Sequence, residues 1–222
     1  MGRTRELAAG GRAVEVEPER LAGFVDRFAA GHGGVVRTTV APQQVDLVAA
    51  DGWTASVPVP FAPLVAQPGQ RGGIAIDELL DHLLVPRTTG LLLVRLGGYS
   101  VGIARCGVVL TSSTGSRPVH GRTAAGGQSQ QRFARRRAGQ ARVALQAAAD
   151  TAARVLLPRA AELDAVVLGG DTTALRSLAA DPRLTALLAR AESRVLDIPE
   201  PRRAVLDEAA RRARCVEVQL RP

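Results

Sequence analysis

Apolar positions along this 222-residue chain recur at two different spacings. In EPERLAGFVDRFAAG (17–31), Leu21, Phe24, Val25 and Phe28 fall three or four residues apart, which places them on one face of a helix. GGVVRTTV (33–40) and QVDLVAADGWTASVPVP (44–60) instead alternate or concentrate β-branched residues. Asp51-Gly52 sits between the halves of the second segment as a turn signal, so a hairpin is predicted. AIDELLDHLLV (75–85) predicts a helix stopped by Pro86. Residues 17–86 thus predict a small α/β region. Residues 1–16 hold no apolar signal region and are expected to form a short mobile tail.

The pattern changes after Pro86. The run from Gly90 to Gly121 predicts strands near 91–96, 99–105, 107–112 and 115–120, broken at Gly97-Gly98, Cys106-Gly107 and Thr114-Gly115. Breaks of that length make an antiparallel meander. A loop (121–128) follows, then a long helix from Ser129, a suitable N-cap, to about Leu157, where Pro158 stops it. Phe133, Ala141, Ala144, Leu145, Ala148 and Ala152 define its expected buried face. The remainder alternates: a buried strand (164–171), a helix capped by Asp171 or Thr172, a helix (183–191), a strand (194–200), a helix (201–214) and a closing strand (215–221). The fold class expected is α/β, a mixed sheet with flanking helices, preceded by the small α/β N-terminal region. The expected division is a tail (1–16), an N-terminal region (17–86) and a second domain (87–222).

Composition adds limits. With 46% hydrophobic residues the chain can fold around a proper core, and its apolar runs are far shorter than a membrane span. A soluble, cytoplasmic monomer that does not engage a membrane is expected. Cys106 and Cys215 are read as core residues, since a cytoplasm disfavours a disulfide and no four zinc ligands stand at familiar spacings.

Charge points to a partner. The chain carries a net +8, and every one of its 29 basic residues is arginine. Between Asp81 and Asp150 there is no acidic residue but there are ten arginines, so the excess belongs to this one segment. A local positive field of this kind is the footprint of a polyanion, and arginine is the better fork for phosphates and stacker on bases.

The segment HGRTAAGGQSQQRFARRR (120–137) concentrates the chemistry. Gly126 and Gly127 lie between a predicted strand and a predicted helix, where glycine lets a backbone approach another molecule closely. The free amides of a helix N-terminus favour developing negative charge. The spacing excludes a Walker loop and a dinucleotide fingerprint. Glutamine is no general base, but it donates and accepts hydrogen bonds at once, which suits orienting a water against an ester. Arg132, Arg135, Arg136 and Arg137 occupy the first turns of the helix, opposing its dipole, a placement that bound phosphates would offset.

These residues resemble the peptidyl-tRNA hydrolysing domain of eukaryotic and archaeal class I release factors. The matching run is His120-Gly121-Arg122, then Gly126-Gly127-Gln128-Ser129, then Arg132-Phe133-Ala134-Arg135 and Arg137, with Thr123, Ala124 and Ala125 inserted before the glycines. VVLGGDTTALRSL and the turn Asp181-Pro182-Arg183-Leu184 extend the likeness over about 90–215. The branch it most resembles is the Vms-type release factors in a bacterial, single-domain form. The resemblance implies a ribonuclease-H-like domain with a catalytic loop (121–130) that enters the peptidyl-transferase centre of the large ribosomal subunit, and no metal or cofactor. It further implies codon-independent release of nascent chains from peptidyl-tRNA on stalled ribosomes, since residues 1–86 carry no stop-codon-reading motif. By the class I pattern the reactive glutamine is Gln128; by the Vms-type pattern it is Gln130. Gly126 and Gly127 shape the loop in both. Arg117, Arg122, Arg132, Arg135, Arg136 and Arg137 are the expected contacts to rRNA or tRNA.

Two alternatives stay open at this level: cutting the tRNA near its 3′ CCA end, and RNA binding without turnover. Three further residues are read conservatively: His120 as a contact to RNA or the loop, Asp171 as a helix cap, and Trp53 as core.

Overall fold

The computed structural model describes residues 3–8, 10–95, 97–116 and 129–222, with side chains from residue 139 onward in the last stretch. The chain divides into two units, residues 1–86 with 214–222, and residues 87–213.

The first unit is built on strands β1 (Thr4–Glu6), β2 (Arg12–Val16), β3 (Val35–Val40), β4 (Gln44–Ala49), β5 (Thr54–Pro58) and β6 (Gly69–Gly72), with helices α1 (Leu21–Gly31) and α2 (Asp77–Leu84). The C-terminal strand of the chain, Val216–Arg221, completes it by pairing antiparallel with both β2 and β5. The seven-stranded antiparallel sheet runs β1-β2-(C-terminal strand)-β5-β4-β3-β6. Period-2 alternation gives it one apolar face, where Val45, Leu47, Ala55, Val57, Val216 and Val218 meet Leu21, Val25 and Phe28 of α1 and Leu79 and Leu83 of α2.

Two expectations are corrected here. Within the expected tail (1–16), the described residues 3–8 and 10–16 contain β1 and β2, which extend the sheet, because Val14 and Val16 stand opposite Val218 and Val216 and share their apolar face. The closing strand (215–221) belongs to this sheet and not to that of the second unit, for the same reason.

The second unit contains β7 (Thr88–Arg95), β8 (Gly98–Arg105), β9 (Val108–Ser116), α3 (Ser129–Leu156), β10 (Ala165–Gly170), α4 (Thr172–Ala179), α5 (Thr185–Leu188), β11 (Ala191–Leu196) and α6 (Arg203–Arg212); the C-terminal strand is β12. Its sheet runs β11-β10-β7-β8-β9. β7, β8 and β9 form an antiparallel meander, and β10 and β11 add in parallel beside β7. This is the mixed sheet expected.

The run Leu91-Leu92-Leu93-Val94 is apolar without alternation because β7 is covered on both faces. Leu92 and Val94 pack with α3, α4 and α5 residues such as Ala148, Leu175 and Leu187. Leu91 and Leu93 pack with Leu206, Ala209 and Ala210 of α6.

The meander has three strands where four are predicted. Cys106 and Gly107, at φ 50° and 80°, make the two-residue turn that joins β8 to β9 with the twist hairpins favour. Thr114-Gly115 is not a turn. Gly115 lies opposite Tyr99 in the ladder, and a Cβ there would stand 2.5 Å from the Tyr99 hydroxyl. The glycine serves close packing inside one continuous strand. Cys106 is exposed at the turn and only Cys215 is buried, so the core reading holds for one cysteine of the two.

Glycine positions yield a paired prediction. Gly170 ends β10 at φ +101°, and a Cβ would lie 2.1 Å from the Val94 carbonyl oxygen. Gly139, inside α3, has open space around it. Gly170→Ala is expected to destabilise by about 2–4 kcal/mol through strain and clash, whereas Gly139→Ala stabilises by about 0.5–1 kcal/mol. Urea unfolding midpoints of the two variants check both signs.

Candidate functional site

β9 ends at Ser116 and α3 begins at Ser129, so the two elements bracket the glycine-rich segment. Arg117, Arg122, Gly126, Gly127 and Gln128, with His120, lie outside the described residues. Gln130, Arg132, Arg135, Arg136 and Arg137 belong to α3, their side chains outside the described ones. Gln130 thus falls in the first helical turn and Gln128 ahead of it. At 1.5 Å per residue, a helix of 28 residues is about 42 Å long.

The C-terminal half of α3 is fixed to the sheet. Ala144, Ala148, Ala152 and Leu156 recur every fourth residue and are all buried, joined by Ala149. Ala141 and Leu145 are partly buried beside them. Gly90 of β7 leaves the space that Leu156 and Leu163 fill: a Cβ there would lie 3.1 Å from Leu163 and 3.4 Å from Leu156.

Several arginines of the acid-free segment have neighbours that qualify its field. Arg95 lies 3.4 Å from Asp197, and its guanidinium also donates to the Ile198 carbonyl. Partial burial lowers the pKa of Arg87, against the attraction of Asp164 and Glu192. Arg105 and Arg142 are exposed.

Asp150, the first acid after the gap, does not cancel that field. It accepts from Gln146 one turn away at 3.0 Å, and Arg183 lies 2.9 Å from it. Arg183 also bridges to Asp181 at 2.7 Å, and Leu184 beside it is fully buried. The Asp181-Pro182-Arg183-Leu184 turn thus works as a brace that ties α5's approach to α3. The hydrogen bonds from Gln146 and Arg183 hold Asp150 below its ordinary pKa, and Arg183 does the same to Asp181.

A cavity of about 290 Å³ opens beyond the carboxyl ends of β7 and β10, where α/β sheets often bind ligands. Its walls are chiefly Val94, Gly97, Gly98, Ala141, Ala144, Leu145 and Ala174. Asp171 stands at its rim, but its Oδ1 accepts from the amides of Thr173 (2.8 Å) and Ala174 (3.1 Å), so it is the cap of α4. Among the described residues that line it, Asp171, Thr173 and Ser177 are polar and none forms an acid–base pair. Among the described residues no three His, Cys, Asp or Glu side chains come together as a metal site, and no helix is long and apolar enough to cross a membrane.

Trp53 packs against the first unit's core, its ring 4.8 Å from that of His32, which stacks in turn on Phe28. Asp51 bonds His32 Nδ1 at 2.8 Å and thereby fixes the stack. Sequence reasoning missed two ties to β9: Arg154 of α3 donates to Ser113 Oγ at 3.0 Å, and Arg203 of α6 to Ser112 Oγ at 2.8 Å. A Ser/Thr run in a predicted strand gives no sign of which arginine will find it.

Residues 87–219 match the family described as Actinobacteria/chloroflexi VLRF1 release factor. No curated protein matches the sequence. Among solved structures, the chain is similar to the archaeal translation termination factor aRF1, at 12% identity and TM-score 0.43, covering 89% of this chain and 70% of that one. It is similar to an archaeal protein at 13% identity and TM-score 0.36, covering 87% and 69%. It is also similar to Dom34 of S. cerevisiae, a translation termination-like factor involved in RNA quality control pathways and interacting with Hbs1. That similarity is 10% in identity with TM-score 0.34, covering 94% and 65%.

Carboxylates whose folded pKa lies below the unfolded value contribute stability above the unfolded value and lose it as pH falls through the folded one. Asp150 and Asp181 therefore stabilise the folded chain at neutral pH, and this contribution fades below about pH 4. Arg183→Ala is expected to flatten the acid limb of the stability profile between about pH 5 and pH 2, measured as urea midpoint against pH. An acid limb of unchanged slope contradicts the brace.

Proposed function

The chain belongs to the Actinobacteria/chloroflexi VLRF1 release factor family, and from that premise we propose that it is a codon-independent peptidyl-tRNA hydrolase that frees nascent chains from stalled ribosomes. The observation that carries this reading is the helix running unbroken from Ser129, next to Gly126-Gly127-Gln128, to the alanine row that holds its far half on the sheet. A loop joined to such a rod can be presented at a distance from the body and still be aimed.

Gln128 orients a water molecule on the carbonyl carbon of the ester that joins peptide to tRNA. Its position ahead of the helix favours it over Gln130, which the first turn holds. The water oxygen bonds to the carbonyl carbon and the bond to the 3′ ribose oxygen breaks. The proton lost by the water ends on that oxygen, so the products are a free peptide carboxylic acid and a deacylated tRNA. Backbone amides near Gly127 and Gln128 receive the charge that develops on the carbonyl oxygen. Positioning, not proton abstraction by a side chain, supplies the acceleration. Arg117, Arg122, Arg132, Arg135, Arg136 and Arg137 bind phosphates of rRNA and tRNA around the peptidyl-transferase centre.

Release of peptide from stalled ribosomes tests the chemistry. Gln128→Ala combined with Gln130→Ala is expected to slow single-turnover release by about 100-fold or more, with ribosome binding retained; an unchanged rate overturns the proposal. Sizing the freed tRNA on a denaturing gel adds an independent check, since hydrolysis leaves the CCA end whole and a shortened tRNA contradicts it. Charge reversal at Arg135, Arg136 and Arg137 together is expected to weaken ribosome binding and to make log affinity fall less steeply with log salt.

A further inference from the structure

β9 is an edge strand. It pairs with β8 on one side, and among the described residues no strand pairs with it on the other. Its outer side therefore presents a row of backbone N–H and C=O groups. Protein edges of this length are usually blunted by lysine, proline, an inward charge or a bulge, and residues 108–116 carry none of the first three. One irregularity interrupts the strand. Ile103 pairs with Thr111 and Ala104 with Val109, which leaves Leu110 as an extra residue in a bulge. Beyond it, residues 111–116 pair with β8 without a further register shift and are serine or threonine at every position but Gly115.

What surrounds this edge states what it fits. Val108 and Leu110 are 64% and 52% exposed, an apolar end to the strip. Arg154 from one face of the sheet and Arg203 from the other reach over the strand to Ser113 and Ser112. Arg203 shares itself with Asp207 at 3.1 Å, while Arg154 has no carboxylate partner among the described residues. Phosphate groups accept but do not donate, so they match the outward amides of β9 and not its carbonyls. An extended peptide satisfies donors and acceptors alike. A second copy pairing edge to edge would bring the arginines of both copies together, which like-charge repulsion opposes.

We propose that the outer edge of residues 111–116 docks an extended, acidic peptide segment of a partner protein, which adds to the sheet as a sixth strand. Successive side chains of a strand point to opposite faces. Adjacent acidic residues in the peptide therefore meet Arg154 and Arg203, one on each side, and an apolar residue covers Leu110. This inference stands on β9 and its neighbours and does not rest on the hydrolase reading.

Fluorescence anisotropy of the full chain with a labelled octapeptide, VTVEETVT, tests it. The peptide with two lysines in place of the glutamates is expected to bind at least about tenfold more weakly. Arg154→Glu combined with Arg203→Glu, its fold checked by circular dichroism, is expected to reverse that order. Two further peptides carry N-methyl groups on odd or on even backbone nitrogens. One phase faces β9 and abolishes binding, and the other faces away and binds as the parent does. Equal binding of both methylated phases, no preference for glutamate over lysine, absence of binding, or displacement of the peptide by a single-stranded RNA decamer each overturns the proposal.

Discussion

The contact on which the second unit depends is the alanine row of α3 against the sheet. A methyl group at positions 144, 148 and 152 lets the helix backbone lie close to β7 and β8, and close approach leaves little freedom to slide or roll. Gly90 completes the fit from the sheet side by making room for Leu156 and Leu163. A helix held over its last four turns has a fixed direction. The first turns, which carry Gln130 and the arginine cluster, inherit that direction through the helix's own hydrogen bonds.

Electrostatics follows the same geometry. Ion pairs within each unit engage several of the remaining arginines in place, as Arg5 with Glu217, Arg71 with Glu78 and Arg159 with Glu162 illustrate. Within the acid-free segment Arg95 lies beside Asp197, while Asp150, the first acid after the segment, is already engaged by Arg183. Positive charge gathered along one rod, with the closest carboxylate occupied, is an arrangement suited to a polyanionic surface.

Elements with a strong period were legible in the sequence. The 3.6-residue spacing in 17–31 and 129–157 marks α1 and α3, and Asp171 reads correctly as the cap of α4. The failures have physical causes. Gly115 looks like a turn residue, yet its role is set by the ring of Tyr99 across the ladder. Residues 1–16 look like a tail because the valines that make β2 a strand find their partners two hundred residues away, in β12. No local pattern announces such a pairing. The candidate site is a motif of the sequence, since Gly126-Gly127-Gln128 and the arginines stand together in the chain. The brace that steadies its helix was not legible there, because Arg183 and Asp150 meet only after α4 and α5 have turned the chain back.

The central claim is that a helix fixed to the sheet carries a glycine-flanked glutamine to the ester of peptidyl-tRNA. A cryo-EM map of the protein on a stalled large subunit tests it most directly. The account predicts density for residues 126–130 beside the 3′-terminal ribose of the tRNA, with α3 lined by rRNA phosphates. A map that places this segment away from the tRNA end, with α3 making no contact to RNA, contradicts it.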